Sequence, residues 1–369
     1  MEVNRQIEGS FLRERGYVRK RCEKCGEFFW TLHPEQEVCG ESPCVPYSFI
    51  KRQITKRPFS LKEIRELFVR FFERKGHEHV PHYPVVARWR DDLLFTHASI
   101  IDFQPYVTEG TIPPPANPLV IIQPCLRVVD IDHVGPTFGR HLTMFEMAAH
   151  HAFNYPDKRV YWEYETVAYH HEFLTEELGI KEDEITYKEG FWSGGGNAGP
   201  DVEAIVGGLE LSKLVFMQYR TLDGKLEEVP VKTVDTGYGV ERFAWLSQGS
   251  ITAFHAIYGE AFEDFRRRLN VPFDEDLFMS YAKISALASQ KDLRSCLEIA
   301  GISEEDFDRF LKPFIDFLAL LDHTKAVCFI LSEGVVPSNV KEGYLARLLI
   351  RRSYRLLSSL GGTSLHDMV

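Results

Sequence analysis

A run of apolar and β-branched residues, Val229 to Val234, leads into Asp235-Thr-Gly-Tyr-Gly-Val-Glu-Arg242 and then a helix-like stretch, Val240 to Leu246. This order demands a strand that passes directly into a helix. Gly237 and Gly239 carry no Cβ, which suits a sharp turn and a close approach of backbone to ligand. Glu241 and Arg242 fall in the first helical turn. The segment therefore presents a carboxylate at a strand end and a guanidinium on a helix. The first suits an ammonium group and the second a phosphate. A short glycine motif also arises in ordinary strand-to-helix turns with a surface ion pair, so the rest of the chain has to decide between the two.

A chain of 369 residues is long enough for two domains and a sizeable core. Its 44% apolar and 26% charged residues are ordinary for a folded protein. No apolar run approaches the roughly 18 residues needed to cross a bilayer, and Met1 to Lys20 is too polar for a secretory signal. The expectation is a cytoplasmic protein without a membrane partner. The net charge of −11 argues against a broadly basic surface but permits a local basic patch.

Four of the seven cysteines, Cys22, Cys25, Cys39 and Cys44, lie within 23 residues. They sit on two turns joined by a short aromatic hairpin, with Gly26 and Gly40 each following a cysteine. In a cytoplasmic chain this spacing favours a tetrahedral zinc site over disulfides. Such a metal would compensate for the small core of residues 1–55. Cys125, Cys296 and Cys328 sit in apolar company and read as buried thiols.

Ser60 and Glu63 make a capping box, and Leu61, Ile64, Leu67, Phe68, Phe71 and Phe72 form one apolar stripe, so a helix starts here. A second helix is expected over 160–178. Trp192 to Pro200, rich in glycine, reads as a loop. Strands are expected near 202–207, 210–220 and 227–235, joined by short connections, which suggests a largely antiparallel sheet. From about 250 the pattern turns helical. Phe307, Phe310, Leu311, Phe314, Ile315, Leu318 and Leu321 mark one amphipathic helix, and another starts near Ser338. On that last helix Arg347, Arg351 and Arg355 are four apart and share a face. Five basic residues against one acid between Pro337 and Ser359 make this stretch a candidate for RNA phosphate contact.

Gln123-Pro-Cys-Leu-Arg127 ends one apolar strand, and Gly139-Arg140-His141-Leu-Thr-Met-Phe145-Glu146 begins the next. A hairpin with an arginine near each inner end can hold a polyphosphate, and Phe145 offers a stacking face. The paired histidines His150-His151 and His170-His171, with Asp130 and Asp132, are open to a metal-hydrolase reading. They lack ligand spacing, however, and adjacent residues point in different directions.

YPVVARWRDD, PPPANPL, QPCLR, RHLTMFEMAAHHAFN, GGGNAGP, LVFMQY, VDTGYGVERF, DHTKA and GVVPSNVKEGYLARLLIRR run through nearly the whole chain in order. In these the chain resembles the N-terminal part of the alanyl-tRNA synthetases of the archaeal type. The resemblance implies an α+β fold with three parts. These are a small four-cysteine zinc-type unit over 1–55, a class II aminoacyl-tRNA synthetase core with an antiparallel sheet over 56–250, and a truncated helical acceptor-stem region over 251–369. It implies alanine, ATP, Mg²⁺ and alanine tRNA as partners. Arg127 would hold the α-phosphate, and Arg242 would lie on the γ-phosphate side and the outer face of adenine. Phe145 would stack on adenine, while Arg140 and His141 reach the phosphates. Asp235 would pair with the alanine ammonium, Gly237 would leave room beside it, and Trp192 would wall the side-chain pocket. Glu146 and Gly239 complete the substrate set, and Glu210 is a Mg²⁺ candidate. Asn339, Arg347 and Arg351 would meet the acceptor stem.

Ile100 and Lys213 depart from the family pattern near the alanine pocket. The chain has no His-x-x-x-His and stops soon after the last helix, so the editing and C-terminal modules are expected to be absent. It reads as a piece of a longer enzyme, expected to be monomeric, in preference to one subunit of a split enzyme. The competing non-enzymatic reading is a synthetase-like RNA-binding paralogue. Joint retention of Arg127, Trp192, Asp235 and Arg242 argues against it.

Overall fold

The computed structural model describes residues 5–222 and 225–365. Its strands are β1 (Val18–Arg21), β2 (Phe28–Thr31), β3 (Glu78–His79), β4 (Leu119–Leu126) and β5 (Met144–Asn154), then β6 (Ile185–Gly194), β7 (Asn197–Val206), β8 (Leu209–Leu222) and β9 (Lys225–Gly239). They form one sheet in the order β1-β2-β6-β7-β8-β9-β5-β4-β3. Every pairing is antiparallel except the short β3–β4 contact.

Both faces of the sheet are covered, so most positions of its central strands are buried. Successive side chains alternate between the faces. Leu214, Phe216 and Tyr238 join the larger core, under the helices Leu61–Arg74, Glu163–Glu172 and Val240–Gln248. Val215, Met217 and Val231 join Ile100, Phe103, Ile121, Ala149 and Phe153 on the other face. Residues of β9 with odd numbers, Asp235 and Gly237 among them, therefore belong to that second face.

The helix Leu61–Arg74 is capped as the sequence predicts. The Ser60 side chain accepts from the Glu63 amide, and the Glu63 carboxylate accepts from the Ser60 amide. Phe68 packs against Phe173 and Tyr238, at ring-centre separations of 5.3 and 4.8 Å. The helix expected over 160–178 is present as Glu163–Glu172 continued by a π-helical turn, Phe173–Glu177. Lys312–Ser332 is longer than the amphipathic stretch read from the sequence and buries residues around most of its circumference. The last helix begins at Lys341, three residues after the expected start.

Two expectations need correction. Trp192 to Pro200 is not a loop. It is the tip of the β6–β7 hairpin, with Trp192 opposite Gly199, and only Gly195 and Gly196 form the turn. Both have positive φ, 56° and 87°, the geometry a two-residue hairpin turn needs. Secondly, Gly237 and Gly239 make no sharp turn, because β9 stays extended up to the helix. What the structure shows at Gly237 is tight packing against a protein side chain: a Cβ there would lie 3.0 Å from Met147 Sδ. The first cysteine turn, with Cys22 and Cys25, connects β1 and β2, so the hairpin holds that turn and does not join the two turns as expected; β2 pairs with β6, Phe29 opposite Lys188 and Trp30 opposite Tyr187, and so extends the main sheet.

Phe68 is 1% exposed. Phe68→Ala should destabilise the protein by about 3–5 kcal/mol, the range for emptying a buried phenylalanine site. Urea unfolding would measure this. A loss below about 1 kcal/mol would mean that the helix–sheet contact is not a principal support of the core.

Candidate active site

The β4–β5 hairpin, β7, β8, the end of β9 and the first turn of the Val240–Gln248 helix enclose a cavity of about 390 Å³. Arg127, Arg140, His141, Phe145, Trp192, Glu210, Asp235, Gly237, Gly239 and Arg242 all line it. Residues that are up to 115 positions apart in the chain thus meet in one chamber. Glu146 is the exception. Phe145 and Met147 on β5 line the cavity, so the intervening residue faces away. The Glu146 carboxylate lies 2.7 Å from the Arg65 guanidinium, outside the cavity lining.

Asp235 is 7% exposed. The nearest titratable partner found is His151, whose Nδ1 lies 3.6 Å away. Burial lowers the pKa of that imidazole to about 3, so it brings no charge. Burial without a compensating cation pushes the Asp235 carboxyl up to about 7. An incoming ammonium would supply the missing charge. Val215 stands opposite Asp235 on β8. Ala98 and Trp192 pack against the same apolar cluster as Val215, which makes this end of the cavity narrow and largely apolar.

The arginines gather elsewhere on the wall. Arg242 Nη1 donates to the Glu210 carbonyl at 3.0 Å and lies 3.2 Å from its carboxylate, while Nη2 donates to the Arg140 carbonyl at 3.1 Å. Arg127 Nε donates to the His97 carbonyl, and its guanidinium lies over the Phe145 ring at 4.8 Å. The guanidinium that covers Phe145 is thus that of Arg127. A base stacking on that ring would have to displace it. Burial and the nearby Arg242 lower the His141 pKa to about 4, so His141 enters the site neutral.

The Glu41, Glu203 and Glu210 carboxylates come within 4.8 Å of one another. Burial would raise the Glu210 pKa, but Arg242, Lys213 and Arg140 outweigh it and hold the carboxyl at about 2. Lys213 Nζ lies 2.7 Å from Glu203 and 3.7 Å from Asp201, and Lys188 bonds Glu41 at 2.7 Å. Sequence reading missed Glu203, Lys188 and Glu41. For Glu203 the available signal was an acid within a largely apolar strand, DVEAIV. Of the two departures from the family pattern, Lys213 lines the cavity, whereas Ile100 is buried behind it.

The cysteine cluster closes on itself. Sγ of Cys22 and Cys44 are 3.9 Å apart, as are those of Cys25 and Cys39, and all four lie within 4.8 Å of one another. Four thiolates about 2.3 Å from a common tetrahedral metal would be about 3.8 Å apart, whereas a disulfide needs about 2.05 Å. Gly26 and Gly40 follow their cysteines at φ 80° and 78°, as metal-binding knuckles require. These residues fit a thiolate-bound divalent metal.

Arg347 and Arg351 are exposed on one face of the last helix, above the buried Ala346, Leu349 and Ser353. Arg347 bonds the Asn339 side chain. The hydrolase constellation does not assemble. His150 bonds Tyr161 and Tyr238, His170 bonds Ser212 and His171 bonds Tyr187. None of them joins a metal-ligand group among the described residues.

Known proteins are similar to this chain in sequence. The family model for class II tRNA synthetases (A) matches residues 63–288 and 267–369. The chain belongs to that family. It is 55% identical over 364 residues to the alanine–tRNA ligase of Korarchaeum cryptofilum, covering 96% of this chain and 40% of that protein. With the alanine–tRNA ligase of Hyperthermus butylicus the identity is 54% over 359 residues, covering 95% and 39%. The corresponding protein of Sulfurisphaera tokodaii is 50% identical, covering 97% and 41%. The chain thus spans about two fifths of the length of these curated relatives. No helix among the described residues is long and apolar enough to cross a membrane.

The environment of Asp235 has a direct spectroscopic consequence. With aspartate ¹³C-labelled at the carboxyl, the resonance that disappears in Asp235→Asn should titrate near pH 7, beside those of two other buried aspartates that burial raises, Asp201 to about 6 and Asp102 to about 9. If the resonance lost in that variant titrated near 4, the Asp235 carboxyl would have to be solvated or paired.

Proposed function

We propose that this chain carries the amino-acid-activating part of an alanine–tRNA ligase. In the reaction, an alanine carboxylate oxygen attacks the ATP α-phosphorus, the bond to the bridging oxygen breaks, and pyrophosphate leaves. Transfer of the alanyl group to the 3′ end of alanine tRNA follows. The observation that carries the reading is the placement of buried Asp235 and of Arg127, Arg140 and Arg242 on the walls of one cavity. Asp235 would take the ammonium, and the guanidiniums would take the phosphates. The small apolar space near Val215 and Trp192 suits a methyl side chain.

In this reading Arg127 neutralises charge that grows on the α-phosphate, and Arg242 holds the pyrophosphate end. Holding the carboxylate in line with phosphorus supplies much of the remaining acceleration. Phe145 gives adenine a stacking face once the Arg127 guanidinium moves off it. Glu210, with Glu203 beside it, would hold a magnesium ion, which would add positive charge at the phosphates. A pocket this small excludes large amino acids by clash, but it separates alanine from glycine or serine by only about 1–3 kcal/mol. Asn339, Arg347 and Arg351 would meet the acceptor stem, within a division into 1–55, 56–250 and 251–369.

Amino-acid-dependent ATP–pyrophosphate exchange tests the whole proposal. Alanine should support the fastest exchange, with serine and glycine weaker. Arg127→Ala should slow it by about 10²–10³-fold, the usual cost of losing one transition-state donor. The alanine KM should fall as pH rises through about 7, because only the ionised Asp235 attracts the ammonium. No exchange with any amino acid, in folded protein, would leave the RNA-binding alternative.

We further propose that the four thiolates hold zinc. Elemental analysis of freshly purified protein should find one zinc per chain, and Cys25→Ser should lower that content. Protein that is folded, metal-free and fully reactive toward thiol reagents would remove the assignment.

A further inference from the structure

We infer that Glu41 is a positioning residue of the nucleotide end of the cavity and builds the four-cysteine unit into that site. Glu41 follows the Cys39–Gly40 knuckle and precedes Cys44 by three residues. Its side chain is 12% exposed. One carboxylate oxygen accepts from Arg140 Nη2 at 2.7 Å and the other from Lys188 Nζ at 2.7 Å. Arg140 Nη1 also donates to the Ser42 carbonyl at 3.0 Å and to the Tyr47 hydroxyl at 3.3 Å. All three acceptors of this guanidinium thus come from residues 41–47, the stretch that closes the cysteine cluster. Among the described residues, no hydrogen bond is found from Arg140 Nε.

The consequence reaches beyond one side chain. The Arg140 carbonyl accepts from Arg242, and Arg242 in turn lies on the Glu210 carboxylate. Lys188 leads from Glu41 to Glu203 at 3.5 Å and so to Lys213. Glu41 therefore sits where two chains of paired charges meet. A free arginine must lose rotamer freedom when it binds a phosphate, whereas one already bonded on its Nη edge has lost most of it. The same carboxylate could instead compete with phosphate for Arg140. These two roles predict opposite signs.

The inference rests on the reading that Arg140 touches ATP. Calorimetric binding of magnesium-ATP without amino acid, on the full chain, separates the two. Arg140→Ala should weaken ATP binding at least tenfold. Glu41→Ala should weaken it about tenfold, and Glu41→Gln by a smaller factor, because the amide oxygen still accepts one bond. The alanine KM should stay within twofold, since Asp235 is untouched. The double variant should bind no worse than Arg140→Ala alone, as expected when one residue acts through the other. Glu41→Gln preserves volume, so reduced ATP affinity at unchanged metal content and unfolding temperature distinguishes positioning from misfolding. ATP binding that is unchanged or tighter in both Glu41 variants, while Arg140→Ala is impaired, would overturn the inference. Unimpaired binding by Arg140→Ala would instead remove the role given to Arg140 itself.

Discussion

The pairing of half-buried charges along one side of the central sheet is the constraint on which the site depends. Arg140, Glu41, Lys188, Glu203 and Lys213 alternate in sign, and each lies within ion-pair distance of the next. Taking an ion partly out of water has a cost that an opposite charge offsets, so each member of the row favours the presence of its neighbours. The partners come from the cysteine-rich region, the β4–β5 connection, β6, β7 and β8. Those segments can bury their charges only by assembling together, and the cavity is the space they leave.

Asp235 breaks that pattern. It is buried without a cation close by, and its elevated pKa reflects this. The two ends of the cavity therefore differ in kind. At one end the arginines are already held by carbonyls and carboxylates, in readiness for an anion. At the other a single carboxyl is stabilised by whatever positive charge arrives. In the proposed function this asymmetry would orient an amino acid, ammonium toward Asp235 and carboxylate toward the arginines, before any bond is made.

Much of the architecture was legible because its signals are local. The Ser60–Glu63 box and the apolar stripe on the following helix depend on residues within a few positions of one another, and the four cysteines fall within 23 residues. Trp192 to Pro200 was misread for the same reason. Its glycines resemble a loop in composition, but two of them form the turn while others lie in strands where side chains would clash. Only the neighbouring strand reveals which role each glycine has. Glu146 was placed in the site by the family resemblance, yet strand alternation sends it to Arg65.

By itself, the sequence determined the element types, the four-thiolate cluster and most of the charged residues that meet in the cavity, because motif spacing carries that information along the chain. Tertiary structure alone decided which charge faces which. That Arg127 covers Phe145, that Lys213 meets Glu203 and that Glu41 grips Arg140 are contacts between residues 10 to 99 positions apart. Such contacts arise from strand order and register, and no local pattern encodes them.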